Sequence, residues 1–559
     1  MKIWKRLAIG ILSVMMTFSS VACVNTPTTD NGEHQHKTVR RAGVTPTCEK
    51  TGKMEYWECI LCDKLFADSA CMEEITLTQV DLPKASHTLT NHARVEATET
   101  EHGNIEYWTC DVCAKYFADA QGKSEITVEE TTLASFVSLV DFLVTVPDDR
   151  DPIILQLADP QVIDSSTMRD GRLTSQDMID AWGPTTREDR CYRYIRELVD
   201  NTKPDLVLVS GDVIYGEFDD DGHLLLEFVQ FMEGLNVKWA PIMGNHDVES
   251  AKGADWMCQQ YENAPNCLFK QGDIMGNGNY TIGIKQGGEL RRIIVNMDTN
   301  GCTGASQASK NNGQTVHHGN NGYGGNSNTY GTYGLQPDQV EWFKATVNNI
   351  KTFAPDVKVT FHMHIAMKYF AVAYNEAYKS LVGDPVARYQ IDKTTYKGNS
   401  GNKTLYPERV KGHNEGDIGT LFYLIQEYTP DFWDSEKVYG DVNKEHVIFK
   451  QIKALGTDSI FVGHYHSNSV SIVYDGIRFQ YGQKCSTYDT TQILKADGTI
   501  TSGNIYYDAD GNCKDGTPLV GGTVIPMDKE TGELKNPYIY YCTGAGKEVD
   551  WEQYKNTIG

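Results

Sequence analysis

From about residue 150 onward, short apolar runs alternate with amphipathic stretches. "IILQLAD", "DLVLVSGD" and "VKWAPIMGNHD" read as strands, because four to six apolar residues end abruptly on polar ones. "DRCYRYIRELVDN" and "HLLLEFVQFMEGL" carry apolar residues at helical spacing. This βαβαβ alternation predicts a layered α/β domain with its active-site loops at the strand ends. "RRIIVNMDT", "VKVTFHMH", "SIFVGHYH" and "IRFQYG" supply further strands. Beyond Thr487, "KADGTI" and "DADGNC" are turn-rich and predict β-hairpins, or an insertion, before a final strand "YIYYC". Between Gly301 and Gly334 the stretch "HHGNNGYGGNSNTYGTYG" has neither period and reads as a long surface loop. Its glycines do not follow a phosphate-loop pattern.

The chain before residue 150 is built differently. "EYWECILCDKLFAD" (55–68) recurs as "EYWTCDVCAKYFAD" (106–119), an offset of 51 residues shared by His36 and His87. Two copies of one small module are expected, at 36–84 and 85–135. Each holds one C-x-x-C, Cys59/Cys62 and Cys110/Cys113, a spacing that lets two thiolates grip one zinc ion from a tight turn. In the first copy, Cys48 and His36 would complete a four-ligand set with Cys59 and Cys62. In the second, Glu99 falls where Cys48 would, so that set is incomplete unless His92 or His102 substitutes. Structural zinc in the repeats is therefore one expectation, and disulfides or free thiols are the other. Such repeats resemble small modules attached to surface proteins of Gram-positive bacteria, where they serve spacing or adhesion.

The first 23 residues, "MKIWKRLAIGILSVMMTFSSVAC", place Lys2, Lys5 and Arg6 before an apolar stretch from Leu7 to Phe18. Small residues then precede Cys23, the outline of an export signal. Ser-Val-Ala-Cys resembles the lipobox of bacterial lipoproteins, in which the cysteine is lipidated. Residues 1–23 are thus expected to be a signal peptide with lipobox and 24–35 a linker, giving a cell-surface lipoprotein or, without lipidation, a secreted protein. The chain has 559 residues, 40% hydrophobic and 23% charged, which suits one large folded domain plus smaller ones. The net charge of −24 disfavours nucleic acid or anionic lipid as partners bound through a basic field. A phosphate substrate remains compatible, because bound metal ions can reverse the local field.

Five strand ends deliver residues of metal-ligand type. They are Asp159; Asp212 in "SGDVIYG"; Asn245, His246 and Asp247 in "MGNHD"; His362 and His364 in "FHMHIAM"; and His464 and His466 in "VGHYH". Singly, each has an ordinary reading as a turn, a cap or a core histidine. As the ordered series D, GD, GNHD, H, GHxH they resemble the calcineurin-like metallophosphoesterase superfamily, which includes the purple acid phosphatases. The resemblance covers residues 150–490, with 491–559 as C-terminal hairpins and final strand of the same domain. "VNMDTNG" and "GLQPDQVEWF" add to it.

The resemblance implies a four-layer α/β/β/α sandwich holding two divalent or trivalent ions (Mn, Zn or Fe) that act on a small phosphate ester. By the motif match, Asp212 bridges both ions. Asp159 and His466 complete one shell; Asn245, His464 and one histidine of 362/364 complete the other. "MHIAM" puts His364 in the family's register, with Ala366 replacing a proline and His362 as a neighbour lining the site. His246 would act on the substrate, stabilising phosphoryl oxygens or protonating the leaving group. Asp247 would accept from its imidazole and fix its orientation. The chain departs from the family at Gln161, where most members carry histidine. Either the Gln161 amide oxygen is a ligand, or Tyr215, in the tyrosine position of the purple acid phosphatases, coordinates instead, or Tyr215 only packs beneath the loop. The alternative function is a surface binding or adhesion protein whose site is catalytically inactive.

Overall fold

The computed structural model describes residues 35–163, 187–216, 219, 221–250, 252–300, 334–367, 369–377, 418, 419, 421, 447–497, 500–506 and 513–542. The signal and lipobox, the linker up to residue 34, and the Gly/Asn stretch 301–333 lie outside the described residues. The chain divides into two compact units, Met1–Ser135 and Phe136–Gly559.

In the second unit the strands, in chain order, are β1 (Phe142–Thr145), β2 (Ile153–Leu157), β3 (Leu206–Val209), β4 (Lys238–Pro241), β5 (Tyr280–Gln286) and β6 (Glu289–Met297). They continue as β7 (Lys358–Met363), β8 (Thr457–Val462), β9 (Ser471–Tyr474), β10 (Ile477–Tyr481), β11 (Gly521–Pro526) and β12 (Tyr538–Tyr541). One sheet has the order β1-β5-β6-β7-β8-β10-β9 and the other β4-β3-β2-β11-β12. β2, β3 and β4 pair in parallel, as do β6, β7, β8 and β10, so their C-terminal ends share one edge. A hairpin, Thr491–Leu494 with Ile500–Gly503, does follow residue 490. β1 lies before residue 150, and β11 and β12, from the C-terminal stretch 491–559, complete the second sheet.

Strands such as Leu206–Val209 are buried on both faces, which is why they read as unbroken apolar runs rather than alternating ones. Side chains from both sheets, among them Leu155, Val207, Ile282, Ile294 and Phe461, share one core. Helix α1 (Arg187–Thr202) packs on β2 and β11 of one sheet, and a helix at Val447–Ala454 packs on β8 of the other. The layered α/β/β/α arrangement is the expected one.

A buried polar chain crosses between the sheets. Gln480 Nε2 donates to Gln156 Oε1 at 2.7 Å, and Gln156 Nε2 donates to Ser210 Oγ at 2.8 Å. Ser210 Oγ lies 2.8 Å from Nε2 of His362, whose Nδ1 lies 2.8 Å from Asn296 Oδ1. Every member is fully buried, so each must find a partner inside the protein, and the chain satisfies them mutually.

Candidate metal centre

The residues expected from the motifs converge at the shared C-terminal edge of the strands. Asp159 follows β2, Asp212 follows β3, Asn245 and His246 follow β4, His364 follows β7, and His464 and His466 follow β8. Strand ends present these side chains because the chain turns sharply there. Asp159, Asp212 and His464 all have positive φ (49°, 51° and 72°), a strained backbone in non-glycine residues that clusters at functional sites. The glycines of the motifs are steric necessities. A Cβ on Gly211, which has φ +82°, would lie 2.4 Å from Nδ1 of His364, and one on Gly244 would lie 2.2 Å from the Asp212 carboxylate.

Two overlapping sets of ligand atoms result, Asp212–His364–His464 and Asp159–Asp212–His466, each mutually within 4.8 Å. Asp212 belongs to both. In the first set, Nδ1 of His364 donates to the Ser210 carbonyl at 2.6 Å, which turns Nε2 toward Asn245 Oδ1 at 3.0 Å and Asp212 Oδ2 at 3.3 Å. Nδ1 of His464 lies 2.8 Å from the same Asn245 oxygen. Imidazole nitrogens and oxygen acceptors thus face one another in a buried space, and Asp212 Oδ2 there accepts no hydrogen bond. That donor-poor convergence is what a divalent cation fits. Burial works against an imidazolium at His364, yet Asp212, Asp159 and the Ser210 carbonyl outweigh it and raise its pKa to about 9. Burial likewise opposes ionisation of Asp212, but His364 and His246 hold its carboxyl well below the carboxylate range. The pocket demands positive charge, which a proton on His364 or a metal ion in its place can supply.

The second set is looser and less purely anionic. Asp159 Oδ1 accepts the His464 N–H at 3.1 Å and lies 3.8 Å from Nε2 of His466. His466 Nδ1 lies 3.4 Å from Asp489, an aspartate that carried no sequence signal beyond its place in a turn. Beside Asp159 sits a group the motifs did not announce. The ammonium of Lys484, fully buried, donates to the Gln161 side-chain oxygen at 2.6 Å and to the Asp159 carbonyl at 3.2 Å. The Gln161 oxygen, expected to be a metal ligand, accepts from Lys484.

Two other expectations change. His246 was expected to be oriented by Asp247. Instead Nδ1 of His246 lies 2.8 Å from Oε2 of Glu249, while Asp247 accepts the backbone N–H groups of Gly244 at 2.7 Å and Ile214 at 3.1 Å. Asp247 ties the loop after β4 to the loop after β3, because an aspartate adjacent to His246 in the chain points its short side chain back at the backbone. Glu249, one short helical turn on, is long enough and correctly spaced to reach the imidazole. Burial disfavours the His246 imidazolium, but Glu249 and Asp212 outweigh it and raise its pKa to about 9. His362 does not line the site: it belongs to the inter-sheet chain. Burial, with His364 nearby, lowers its pKa to about 3 and keeps it neutral. The Tyr215 ring stacks on the His246 imidazole, centroids 4.0 Å apart.

Residues 153–397 match the family model of the calcineurin-like phosphoesterases. A curated relative, "Probable inactive purple acid phosphatase 28" of Arabidopsis thaliana, is 36% identical over 59 residues, 10% of this chain and 15% of the relative. Among solved structures, a dimetal phosphatase from Danio rerio aligns with a TM-score of 0.33 and 10% identity over 70% of this chain and 99% of its own. The purple acid phosphatase PPD1 of yellow lupin (Lupinus luteus) aligns with a TM-score of 0.28 and 9% identity over 90% of this chain and 74% of its own. The first four strand-end motifs lie inside the matched segment and the fifth, with His464 and His466, follows it; the chain carries a domain of the calcineurin-like metallophosphoesterase superfamily.

Proposed function

We propose that the protein is an exported metal-dependent phosphoesterase acting on small phosphomonoesters or phosphodiesters. The observation that carries this reading is the pair of ligand sets sharing Asp212, assembled from four strand ends with Asn245 of a fifth beside them. Asp212, Asn245, His364 and His464 would hold one ion, and Asp159, Asp212 and His466 the other. Divalent ions, when bound, supply charge that polarises a phosphoryl group and acidifies water.

The chain's own residues do the rest. Asp212 keeps its carboxylate ionised and available to both positions. The Ser210 carbonyl fixes the His364 tautomer, as a second shell commonly does. His246, 7% exposed at the edge of the site, carries a proton on its ring. Glu249 accepts from Nδ1, so Nε2 is the nitrogen left to donate to a phosphoryl oxygen or a departing alkoxide. Tyr215 covers one ring face and limits the imidazole to that direction. Mn or Zn would suit the mixed nitrogen and oxygen donors, and Fe also accepts them. Hydrolysis of aryl phosphate mono- and diesters by Mn- or Zn-loaded protein is the test. Turnover is expected; none for either ester with the fold intact would overturn the reading.

A second reading is a surface protein that binds without turnover. Lys484 beside Asp159 favours it, since its ammonium form competes with one ion, and the curated relative is itself named inactive. Metal analysis separates the two: one ion or none per chain, with no turnover, supports the second. For export and anchoring, the support is the basic-apolar-small order of residues 1–23 before Cys23. Cys23→Ser should release the protein from the membrane fraction of cells that lipidate it, and unchanged fractionation would remove the anchor from this proposal.

A further inference from the structure

The offset between the two N-terminal copies suggests that each serves itself: Cys48 with His36, Cys59 and Cys62. The structure groups them otherwise. His36, Cys59 and Cys62 form a three-residue set, while Cys48 joins His87, Cys110 and Cys113 of the second copy. We propose that these four residues are a structural zinc site, completed across the repeat boundary by the first copy's Cys48.

The spacings are those of a tetrahedral zinc site. With Zn–S near 2.3 Å and Zn–N near 2.0–2.1 Å, a tetrahedron has edges of about 3.8 Å between two sulfurs and about 3.5 Å between sulfur and nitrogen. Cys48 Sγ lies 3.9 Å from Cys110 Sγ, and Cys113 Sγ lies 3.6 Å from His87 Nδ1. A disulfide would need two of the sulfurs at about 2.05 Å. All four ligand atoms fall within 4.8 Å of one another, with Cys48 and Cys110 buried.

The local backbone is built for it. Strand Tyr107–Cys110 ends in a tight turn in which Ala114 N–H bonds the Cys110 carbonyl at 2.8 Å and Ala114 takes φ +58°. That turn aims the N–H groups of Val112 and Cys113 at the Cys110 sulfur. Cys48 is delivered by the turn Thr47–Lys50, and Ala85 N–H bonds the Thr47 carbonyl at 3.1 Å, tying the start of the second copy to the same turn. Glu99 in the second copy then has a reason: the fourth ligand comes from upstream, so its own position needs none.

The first copy's set has the same sulfur-to-nitrogen spacing, Cys62 Sγ to His36 Nδ1 at 3.5 Å, but three residues. Two affinities therefore follow, a tight four-ligand site and a weaker three-ligand one. The full-length protein, reduced and stripped with a chelator, would be titrated with Co(II). Thiolate-to-cobalt charge-transfer absorption reports only these sites, because the phosphoesterase ligand set contains no thiol. The expected result is a tight class that Cys48→Ser abolishes and Cys59→Ser spares. Cys48→His, which keeps a ligand, should restore tight binding with an altered spectrum, while aryl phosphate turnover by Mn-loaded Cys48→Ser stays at the wild-type level. Three outcomes would overturn the proposal: a tight class lost with Cys59→Ser instead, no charge-transfer band, or a Cys48–Cys110 disulfide peptide from unreduced protein. Failure of phosphatase turnover would touch the proposed function and leave this site standing.

Discussion

The two halves of the candidate metal centre share Asp212 and differ in what surrounds it. On the side of Asn245, His364 and His464, acceptor atoms converge at 2.8–3.3 Å with no lysine or arginine among them. On the side of Asp159 and His466, contacts are wider and the Lys484 ammonium sits against Gln161 and the Asp159 backbone. One half asks for a cation from outside; the other already holds part of its charge. The first position should therefore bind its ion tightly and the second weakly, an asymmetry set by one buried lysine.

The largest effect should come from the residue common to both halves. Asp212→Asn keeps the shape and removes the charge, so metal content should fall at both positions and turnover drop about 1,000-fold or more, about 4 kcal/mol of barrier. Loss of one ion with the other retained would break the shared-bridge assignment. The His246 side chain belongs to neither ligand set, although its backbone N–H donates to Asp212 Oδ1 at 2.7 Å, and it comes next. His246→Ala should lower kcat about 100- to 10,000-fold and leave metal content unchanged.

Glu249→Gln should act through the same imidazole. The His246 pKa, raised to about 9 by its acidic partners against burial, should fall toward the ordinary value. Because a raised histidine pKa means the proton is held, the alkaline limb of the rate profile should move down from about pH 9. The stability contributed by this pairing is fully present below about pH 6.5 and is lost as pH rises through about 9. Asp247→Asn should leave that limb in place, since Asp247 holds backbone rather than imidazole. An equal shift in both variants would restore Asp247 to the role the sequence suggested.

Lys484→Met sharpens the comparison with an effect of opposite sign. Removing the ammonium should strengthen metal binding at the Asp159 side by about tenfold or more and leave the Asn245 side unaltered, as read by metal titration. It also strips Gln161 of its partner, so some global stability, about 1–3 kcal/mol, should be lost. Unchanged affinity would mean that the lysine is a structural brace only.

Strand-end chemistry was legible in the sequence because a buried parallel strand is an unbroken apolar run, and the polar residue that ends it marks the sheet edge. Asp159, Asp212, Asn245, His364, His464 and His466 all carried that mark. Lys484 and Asp489 come from the segment after β10, and nothing local says that this segment returns to the site. A lysine shortly after the strand "IRFQYG" was the available hint. Glu249 could have been found from its spacing, since i to i+3 in a helical turn places two side chains together and i to i+1 does not. Cys48 shows a different limit. An offset of 51 residues identifies equivalent positions in two copies and is silent on which copy each one serves.

The smallest expected effect concerns Tyr215. Its ring stacks on His246 at 4.0 Å, and stacking is a property of the ring rather than the hydroxyl. Tyr215→Phe keeps the ring, so kcat should change by no more than about twofold and metal content not at all. A phenolate bound to ferric iron gives a visible charge-transfer colour, and its loss on this substitution in iron-loaded protein would make Tyr215 a ligand. In that event the Asp159 half would have a donor that offsets Lys484, and the two halves would be nearer in affinity than the contacts on the ligand side imply.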